Sequence, residues 1–270
     1  MSLTKTIVLA KRTELTAGAK LALSRKFQQL CETPDPIYDL HATIDSLRVL
    51  ATLLTDYRPV ITQNHIELTL LTIVRTSHRL ASSNSEEPEI PASDAPYIFT
   101  CLTRLFTILL HSHRSRLRGR HHLTIAALNA LLPLFFTPYP TADDPGPDST
   151  TPSTPTPAHA SAYARLLTLF CDPSPSAVTT KKRKFSEREH LSDETKKAKA
   201  MVGKYIPGWI ECYCGLLLRG RMEEGIRKEL MGGVWAALEV VKKERLEGMS
   251  DAMGKEEREV FRGIWQEFKG

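Results

Sequence analysis

Two clusters of basic residues are the part of this sequence best suited to chemistry, because their charges could bind phosphates or acidic surfaces. The first is HSHRSRLRGRHH, residues 111–122, with four arginines: Arg114, Arg116, Arg118 and Arg120. Guanidinium groups bind phosphates and carboxylates through paired hydrogen bonds, so four of them on a tight turn could clamp RNA phosphates or an acidic partner protein. Alternatively, these arginines cap the C-terminal carbonyls of one helix and solvate a hairpin turn. The sequence leaves both interpretations open.

The second cluster has the layout of a bipartite nuclear-import signal. Its two halves, separated by eleven residues, are Lys181, Lys182, Arg183 and Lys184, then Lys196, Lys197 and Lys199. Lysines on a flexible chain can reach separate carboxylates in the acidic grooves of an import receptor. Residues 181–199 carry eight basic and four acidic side chains, so this segment contributes +4 to a net charge of +5. The alternatives are a solvated basic linker that binds no receptor and a contact to RNA phosphates.

Catalytic and metal chemistry have little support in the sequence. It contains no Gly-rich phosphate loop, no Gly-x-Ser-x-Gly elbow and no His-Glu-x-x-His pair. The histidines of the first cluster have no Cys or carboxylate at ligand spacing, and Cys212 and Cys214 point to different sides of a helix. Five cysteines without a CxxC pair indicate free thiols in a reducing compartment. We therefore expect no enzyme activity, cofactor, bound metal or small-molecule substrate.

No segment has the length or composition of a membrane or secretion signal. The N-terminal apolar run covers only Ile7 to Ala10, with lysines on both sides. Nothing approaches the ~20 apolar residues that cross a bilayer. We expect a soluble protein with no membrane partner, and the 41% hydrophobic content is sufficient for a buried core.

Apolar residues recur three and four apart in five successive segments of the first half of the chain. The clearest segment follows Pro36, and the others lie within 23–30, 66–74, 98–109 and 123–134. On the clearest one the apolar face consists of Leu40, Ile44, Leu47, Ala51 and Leu54. We predict an all-α fold in which residues 1–136 form a front block of stacked helical hairpins. Since no fixed-length repeat is visible, the predicted architecture is an irregular α-solenoid.

Residues 137–191 are predicted to be a disordered insert, first rich in proline and threonine and then basic. The insert begins with TPYPTADDPGPDSTTPSTPTP. A segment made mostly of prolines and small polar residues cannot form a core. One short helix, around Tyr163 and Phe170, interrupts the insert.

Residues 192–270 are predicted to be a C-terminal helical block with three apolar segments. Pro207 should bend the first of its helices. Each of its aromatic anchors falls on or beside an apolar stripe, which favours core packing over a partner-binding groove. These anchors are Trp209, Trp235, Trp265 and Phe268.

Two separated blocks of the chain resemble one protein family. The back block contains Tyr-Ile-Pro, a helix, an Arg-Gly turn, Ile-Arg-x-x-Leu-Met-x-Gly-Val and finally Val-Phe-x-x-Ile-Trp-x-x-Phe-Lys. The upstream block is HRSRLRGRHHLTIAALNALLPLFF, residues 113–136. Their order is similar to the C-terminal domain of the unhealthy-ribosome-biogenesis family, second type, whose members are large helical nucleolar proteins. The family's aromatic-rich closing run and long N-terminal extension are absent, so we expect a fragment or a shortened gene product.

The resemblance implies a non-catalytic scaffold of the nucleus and nucleolus. Such a scaffold would act in assembly of the large ribosomal subunit precursor (pre-60S) and in pre-rRNA processing. The implied partners are nucleolar pre-ribosome assembly proteins, with pre-rRNA as a further candidate, and the import signal adds an import receptor. The alternative is a general nuclear α-solenoid adaptor, for which the basic linker is only a nuclear address.

Overall fold

A computed structural model describes residues 17–32, 39–82, 95–138, 155–173 and 188–270 of the chain, with side chains from 195 onward in the last range. Within these ranges the chain is almost entirely helical, which confirms the all-α prediction. The eleven α-helices of the described residues are α1 (Ala17–Glu32), α2 (Leu40–Asp56), α3 (Gln63–Ser82), α4 (Ala95–Ser112), α5 (His121–Leu131), α6 (Pro157–Cys171), α7 (Arg188–Val202), α8 (Ile206–Arg219), α9 (Glu224–Val240), α10 (Lys243–Ala252) and α11 (Lys255–Lys269).

Three short elements complete the description. Two 3-10 turns, Arg114–Leu117 and Leu132–Phe135, flank α5. Strand β1 (Thr137–Pro138) pairs antiparallel with β2 (Gly220–Arg221), with Thr137 opposite Arg221. This bridge ties the end of the front half of the chain to the turn between α8 and α9.

The helices alternate between two layers. One layer contains α1, α3, α5 and α8, and the other contains α2, α4, α6 and α9, each helix packing on the next of its own layer. α11 packs on α8 at the far end, with α10 beside both, while α7 contacts α6 and α9. The predicted front helices are thus confirmed as α1–α5, although residues 1–16, where the first was expected to begin, lie outside the described part of the chain.

Local sequence explains where the helices begin and which face they bury. In α2, Asp39 Oδ1 accepts a hydrogen bond from the Ala42 N–H at 2.8 Å, which satisfies a donor that the first turn leaves free. The three-and-four spacing then buries Leu47, Leu50 and Leu54 on one side of the helix. Each such side chain contributes about 1.5 to 3 kcal/mol when fully buried.

Helix α6 lies in the hydrophobic core, although its sequence predicts only a short helix within an insert. Ala160, Tyr163, Leu167 and Phe170 are buried along it. It approaches α9 so closely that a Cβ on Gly233 would lie 2.9 Å from Cα of Ala164. The burial of α6 could not be predicted from the prolines around it, because prolines indicate only where a helix begins or ends. The predicted domain boundaries stay predictions, and residues 139–154 and 174–187 lie outside the described residues.

Three buried polar groups join α5, α6 and α8. Trp209 Nε1–H donates to Tyr163 Oη at 2.8 Å, and Tyr163 O–H donates to the Leu128 carbonyl at 2.9 Å. Trp209 also stacks on Tyr213, with ring centroids 5.5 Å apart and planes 7° apart. Because all these groups are buried, the front and C-terminal halves share a hydrogen-bonded contact as well as an apolar core.

Pro207 lies at the start of α8, whereas the predicted bend assumed a position inside the helix. The helix begins at Ile206, so the proline lies in the first turn, where the backbone N–H that it lacks would have no helical partner. The apolar spacing across 201–217 concealed a break between α7 and α8, which falls between Val202 and Ile206.

Candidate functional site

The arginine cluster forms the connection between α4 and α5. The 3-10 turn Arg114–Leu117 buries Leu117, and Gly119 then adopts φ +78°, which residues with a side chain rarely occupy. The chain reverses within eight residues, from His113 to Arg120. The four arginines on this stretch differ in exposure, since Arg118 is exposed and the other three are partly buried.

Arg114 points into the protein and caps helix α6. Its Nη1 donates to the Leu169 carbonyl at 2.7 Å and its Nη2 to the Phe170 carbonyl at 2.6 Å. These carbonyls form the negative end of the helix dipole, so a cation is favourable there. Burial lowers the pKa of Arg114 to about 10, which leaves the side chain protonated at neutral pH. It therefore caps a helix distant in sequence.

Arg116 and Arg120 are partly exposed and bound to neighbouring elements. Arg116 Nη1 donates to the Arg58 carbonyl at 3.1 Å. Arg120 Nε lies 2.5 Å from Glu67 Oε1, and this hydrogen bond holds the pKa of Glu67 below its usual value. An exposed ion pair such as that of Arg120 contributes only about 0 to 1 kcal/mol. Within the described residues, the hydrogen bonds of Arg116 use Nη1 and those of Arg120 use Nε and Nη1, so Nη2 of each is available to an acidic ligand.

Arg118 is the exposed arginine of the turn, and its side chain makes no hydrogen bond or ion pair with the described residues. Arg58 adds a further cation, since its guanidinium and that of Arg116 both lower the pKa of His113 after the larger effect of burial. Arg58 could not be found from the sequence because it lies 56 residues before Arg114, at the end of α2. The structure thus places Arg58, Arg116, Arg118 and Arg120 around one surface turn, which we call the arginine turn.

The histidines around the arginine turn have unequal surroundings. His111 and His122 are exposed, whereas His113 is buried and its Nε2 donates to the Leu54 carbonyl at 2.8 Å. His121 stacks on Tyr205, with centroids 5.4 Å apart, and burial lowers its pKa. No group of three or more His, Cys, Asp or Glu side chains in the described residues could hold a metal ion.

Only the second half of the predicted import signal lies within the described residues. Lys181, Lys182, Arg183 and Lys184 lie outside the described residues, whereas the second half lies on α7. Lys196 and Lys197 are exposed there. Lys199 Nζ lies 2.7 Å from Asp172 Oδ1, next to the end of α6. In the folded chain the second half is therefore helical, and Lys199 already contacts the end of a core helix.

The aromatic anchors separate into two groups. Trp209 is buried, with 1% of its surface exposed. Trp235, Trp265 and Phe268 are only partly buried and pack against one another, with centroids 5.5 Å apart in the Trp235–Phe268 and Trp265–Phe268 pairs. The spacing of apolar residues could not separate the groups, because it reports a helix face and not the depth at which that face lies.

A family model described as the Urb2/Npa2 family matches residues 44–270, which is more than four fifths of the chain. No curated protein and no solved structure matches. None of the helices that the structure describes is long and apolar enough to cross a membrane.

Proposed function

The chain belongs to the Urb2/Npa2 family, and on that premise we propose that it is a non-catalytic scaffold of the nucleolus. The family's role is in ribosome biogenesis. The scaffold acts in assembly of the large subunit precursor and in pre-rRNA processing, through contacts to other assembly proteins. The observation that carries this proposal is the match across residues 44–270, which includes every helix of the C-terminal half.

The two layers of alternating helices support a scaffold with an extended surface. Each helix of a layer packs mainly on the preceding and following helices of that layer, as in a short irregular α-solenoid of stacked hairpins. Such stacking exposes many helix faces and turns, which suits a protein that holds several partners at once.

The arginine turn is the proposed contact for pre-rRNA or for an acidic protein surface. Arg116, Arg118 and Arg120 carry that role, with Arg58 beside them, because their guanidinium groups are partly or fully exposed. Arg114 supports the site from inside by capping α6. If the three exposed arginines each bind one phosphate of single-stranded RNA, the plot of log association constant against log salt concentration becomes less steep by about 2 when they are lost.

The basic segment is the proposed nuclear-import signal. An extended chain fits the receptor groove, so receptor binding requires the second half of the signal to leave its helical conformation on α7. The ion pair between Lys199 and Asp172 opposes this only weakly, because both side chains are about half exposed. Deleting residues 181–199 and supplying an independent import signal tests the role: restored activity identifies an address, whereas continued failure identifies a contact.

The test of the proposal is sedimentation of the tagged chain from nuclear extract. Each gradient fraction is probed for large-subunit pre-rRNA before and after nuclease treatment. Migration with the large precursor particles, lost after nuclease, is the expected result. Migration only as free protein in both samples contradicts the proposal for this chain.

Arginine variants refine the experiment. The triple change of Arg116, Arg118 and Arg120 to alanine should weaken particle association most at low salt, and the difference from the wild type should narrow as salt rises. The matched control changes three exposed arginines elsewhere, Arg75, Arg245 and Arg262, and removes the same charge. Equal association of the two triple variants would remove the arginine turn from the contact surface.

A further inference from the structure

A pair of stacked aromatic rings lies beside the arginine turn. His121, in the first turn of α5, and Tyr205, which immediately precedes α8, stack with ring centroids 5.4 Å apart and planes 12° apart. The His121 ring also contacts Phe170, at a centroid distance of 6.3 Å. Because Phe170 is buried and Tyr205 is only partly buried, the three rings lead from the core to the surface. The sequence does not reveal this pair, since its members lie 84 residues apart.

Tyr205 is held in place but keeps surface that a ligand can cover. Its backbone N–H donates to the Val202 carbonyl at 2.9 Å, and its ring packs against both His121 and the hydrophobic core. Its hydroxyl makes no hydrogen bond with the described residues. A ring fixed in this way loses little conformational freedom when another ring stacks on it. Tyr205 is therefore preorganised as a stacking platform.

The surface beside Tyr205 is basic. Arg120 directly precedes His121, and the exposed Lys204 directly precedes Tyr205. Lys199, near the end of α7, binds the end of α6, which Arg114 of the same turn also binds. The arginine turn, Lys199 and Lys204 together supply six basic side chains, and within the described residues only two of the six form ion pairs. This excess of positive charge attracts a polyanion.

We propose that Tyr205 and the arginine turn together bind single-stranded RNA, with one base stacked on the Tyr205 ring and neighbouring phosphates bound by the guanidinium groups of the turn. The first contact takes a flat ring and the second takes a chain of negative charges, and RNA supplies both within adjacent nucleotides. A base inside a duplex cannot reach the ring, because it is already paired and stacked, so the ligand is a single strand. This inference deepens the proposed function, and it rests on that function only in taking the RNA to be pre-rRNA.

The stacked ring favours RNA over an acidic protein surface as the partner. Guanidinium groups bind both phosphates and carboxylates, so the arginine turn alone leaves both partners open. A carboxylate gains nothing from the face of Tyr205, because the face of an aromatic ring carries a negative partial charge. A base gains stacking energy there whatever its identity, since every base has a π face. We therefore expect binding with little preference for base sequence.

Fluorescence anisotropy of the full chain with a labelled oligouridylate of about 12 nucleotides tests the stacked base. Tyr205→Leu keeps an apolar side chain but removes the ring, and binding should become at least about fivefold weaker in Kd. Tyr205→Phe keeps the ring, so Kd should stay within about twofold of the wild type. The matched control Tyr97→Leu removes a 39% exposed ring near the start of α4, whereas the arginine turn follows the end of that helix, and it should also leave Kd within about twofold.

Salt and a strand without bases separate the effect of the ring from that of the charges. Stacking involves no phosphate, so Tyr205→Leu should weaken the binding of oligouridylate by the same factor at low and at moderate salt. The triple alanine variant of Arg116, Arg118 and Arg120 should instead reduce the salt dependence itself. On a strand of the same length in which hydrogen replaces every base, Tyr205→Leu should have no effect, whereas the triple variant should still bind more weakly.

Crosslinking of the unaltered chain provides a readout that depends on no variant. A strand that contains 5-iodouridine should crosslink to Tyr205 under ultraviolet light, and mass spectrometry of the linked peptide identifies the residue. Crosslinks that omit Tyr205 would overturn the proposal, as would equal binding of oligouridylate to the wild type and to Tyr205→Leu. Equal weakening of oligouridylate and of the strand without bases by Tyr205→Leu would also overturn it, because the ring would then act only on the fold.

Two comparisons separate this inference from its neighbours. Oligoglutamate that binds more tightly than oligouridylate, and that depends on the arginine turn but not on Tyr205, would overturn the proposal and identify an acidic protein surface as the partner. RNA binding as expected together with failure in the sedimentation test would reject the scaffold function and retain the RNA site. Success in the sedimentation test without RNA binding by the purified chain would reject the RNA site and retain the scaffold.

Discussion

Replacing Tyr163 by phenylalanine should destabilise the protein more than the loss of one oxygen atom suggests. The change leaves the Trp209 N–H buried without an acceptor, since Tyr163 Oη is its partner at 2.8 Å. The Leu128 carbonyl is less affected, because it still accepts the backbone N–H of Leu132. An orphaned buried donor costs about 1 to 3 kcal/mol and the lost hydrogen bond about 1 more. We expect the free energy of unfolding to fall by about 2 to 4 kcal/mol.

Urea unfolding followed by circular dichroism measures this change, and a double-mutant cycle identifies its source. Trp209→Phe removes the donor itself, so Tyr163→Phe should cost less in the Trp209→Phe background than in the wild type. The difference between the two backgrounds should be about 1 to 3 kcal/mol. Tyr97→Phe is the matched control, since Tyr97 is 39% exposed and its loss should change the free energy of unfolding by less than about 0.5 kcal/mol.

Two results would refute this reasoning. If Tyr163→Phe is no more destabilising than Tyr97→Phe, the hydrogen bonds between α5, α6 and α8 contribute nothing to stability. If the effects of Tyr163→Phe and Trp209→Phe simply add, the two side chains are not energetically coupled, despite their contact.

The remaining predictions concern the arginine turn and the packing between α6 and α9. Arg114→Ala should lower the free energy of unfolding by about 2 to 5 kcal/mol, because two helix carbonyls lose a charged donor. The control Arg118→Ala should change the free energy of unfolding by less than about 0.5 kcal/mol. Equal effects of the two changes in urea unfolding would contradict the inward position of Arg114. Burial lowers the pKa of His113, so the unfolded chain binds more protons and stability should fall as pH drops below about 6.5, with a slope of up to about 1.4 kcal/mol per pH unit from this group. His113→Gln should flatten that profile in unfolding measured from pH 7.5 to 5.5, and an unchanged slope would exclude His113 as a contributor. Gly233→Ala should destabilise the protein by about 1 to 3 kcal/mol, because the added Cβ would meet Ala164. Gly232→Ala, which has open space around it, should stabilise the protein by up to about 1 kcal/mol. Equal or reversed effects of the two changes in thermal unfolding would refute the close approach of α6 to α9.

The helical face of each segment could be predicted from the sequence because it depends on local spacing. Leu40, Leu47 and Leu54 repeat at intervals that place them on one side of a helix, whatever the helix packs against. Family membership could also be predicted, since Ile-Arg-x-x-Leu-Met-x-Gly-Val and Val-Phe-x-x-Ile-Trp-x-x-Phe-Lys are local strings. The burial of α6 could not be predicted in the same way, because the prolines on either side of it carry no information about whether the helix itself is buried.

The sequence predicts that the arginines lie on one turn, but it does not predict which of them are exposed. The spacing of Arg114 and Arg118 fixes that they leave the same connection, yet one caps α6 and the other is exposed. Which direction each takes depends on α6, whose C-terminal carbonyls lie 55 and 56 residues further along the chain. Arg58 joined the arginine turn for the same reason, because the end of α2 lies beside it only in the folded chain.

By itself, the sequence determined the all-α class, the helix faces, the position of the basic clusters and the family, since these depend on residue type and short spacing. Tertiary structure alone decided that α6 belongs to the core, that Trp209 is buried while Trp265 is only partly buried, and that Arg114 caps α6 while Arg118 is exposed. The physical reason is that burial and charge pairing depend on distances between residues far apart in sequence, and only the packing of the two layers sets those distances.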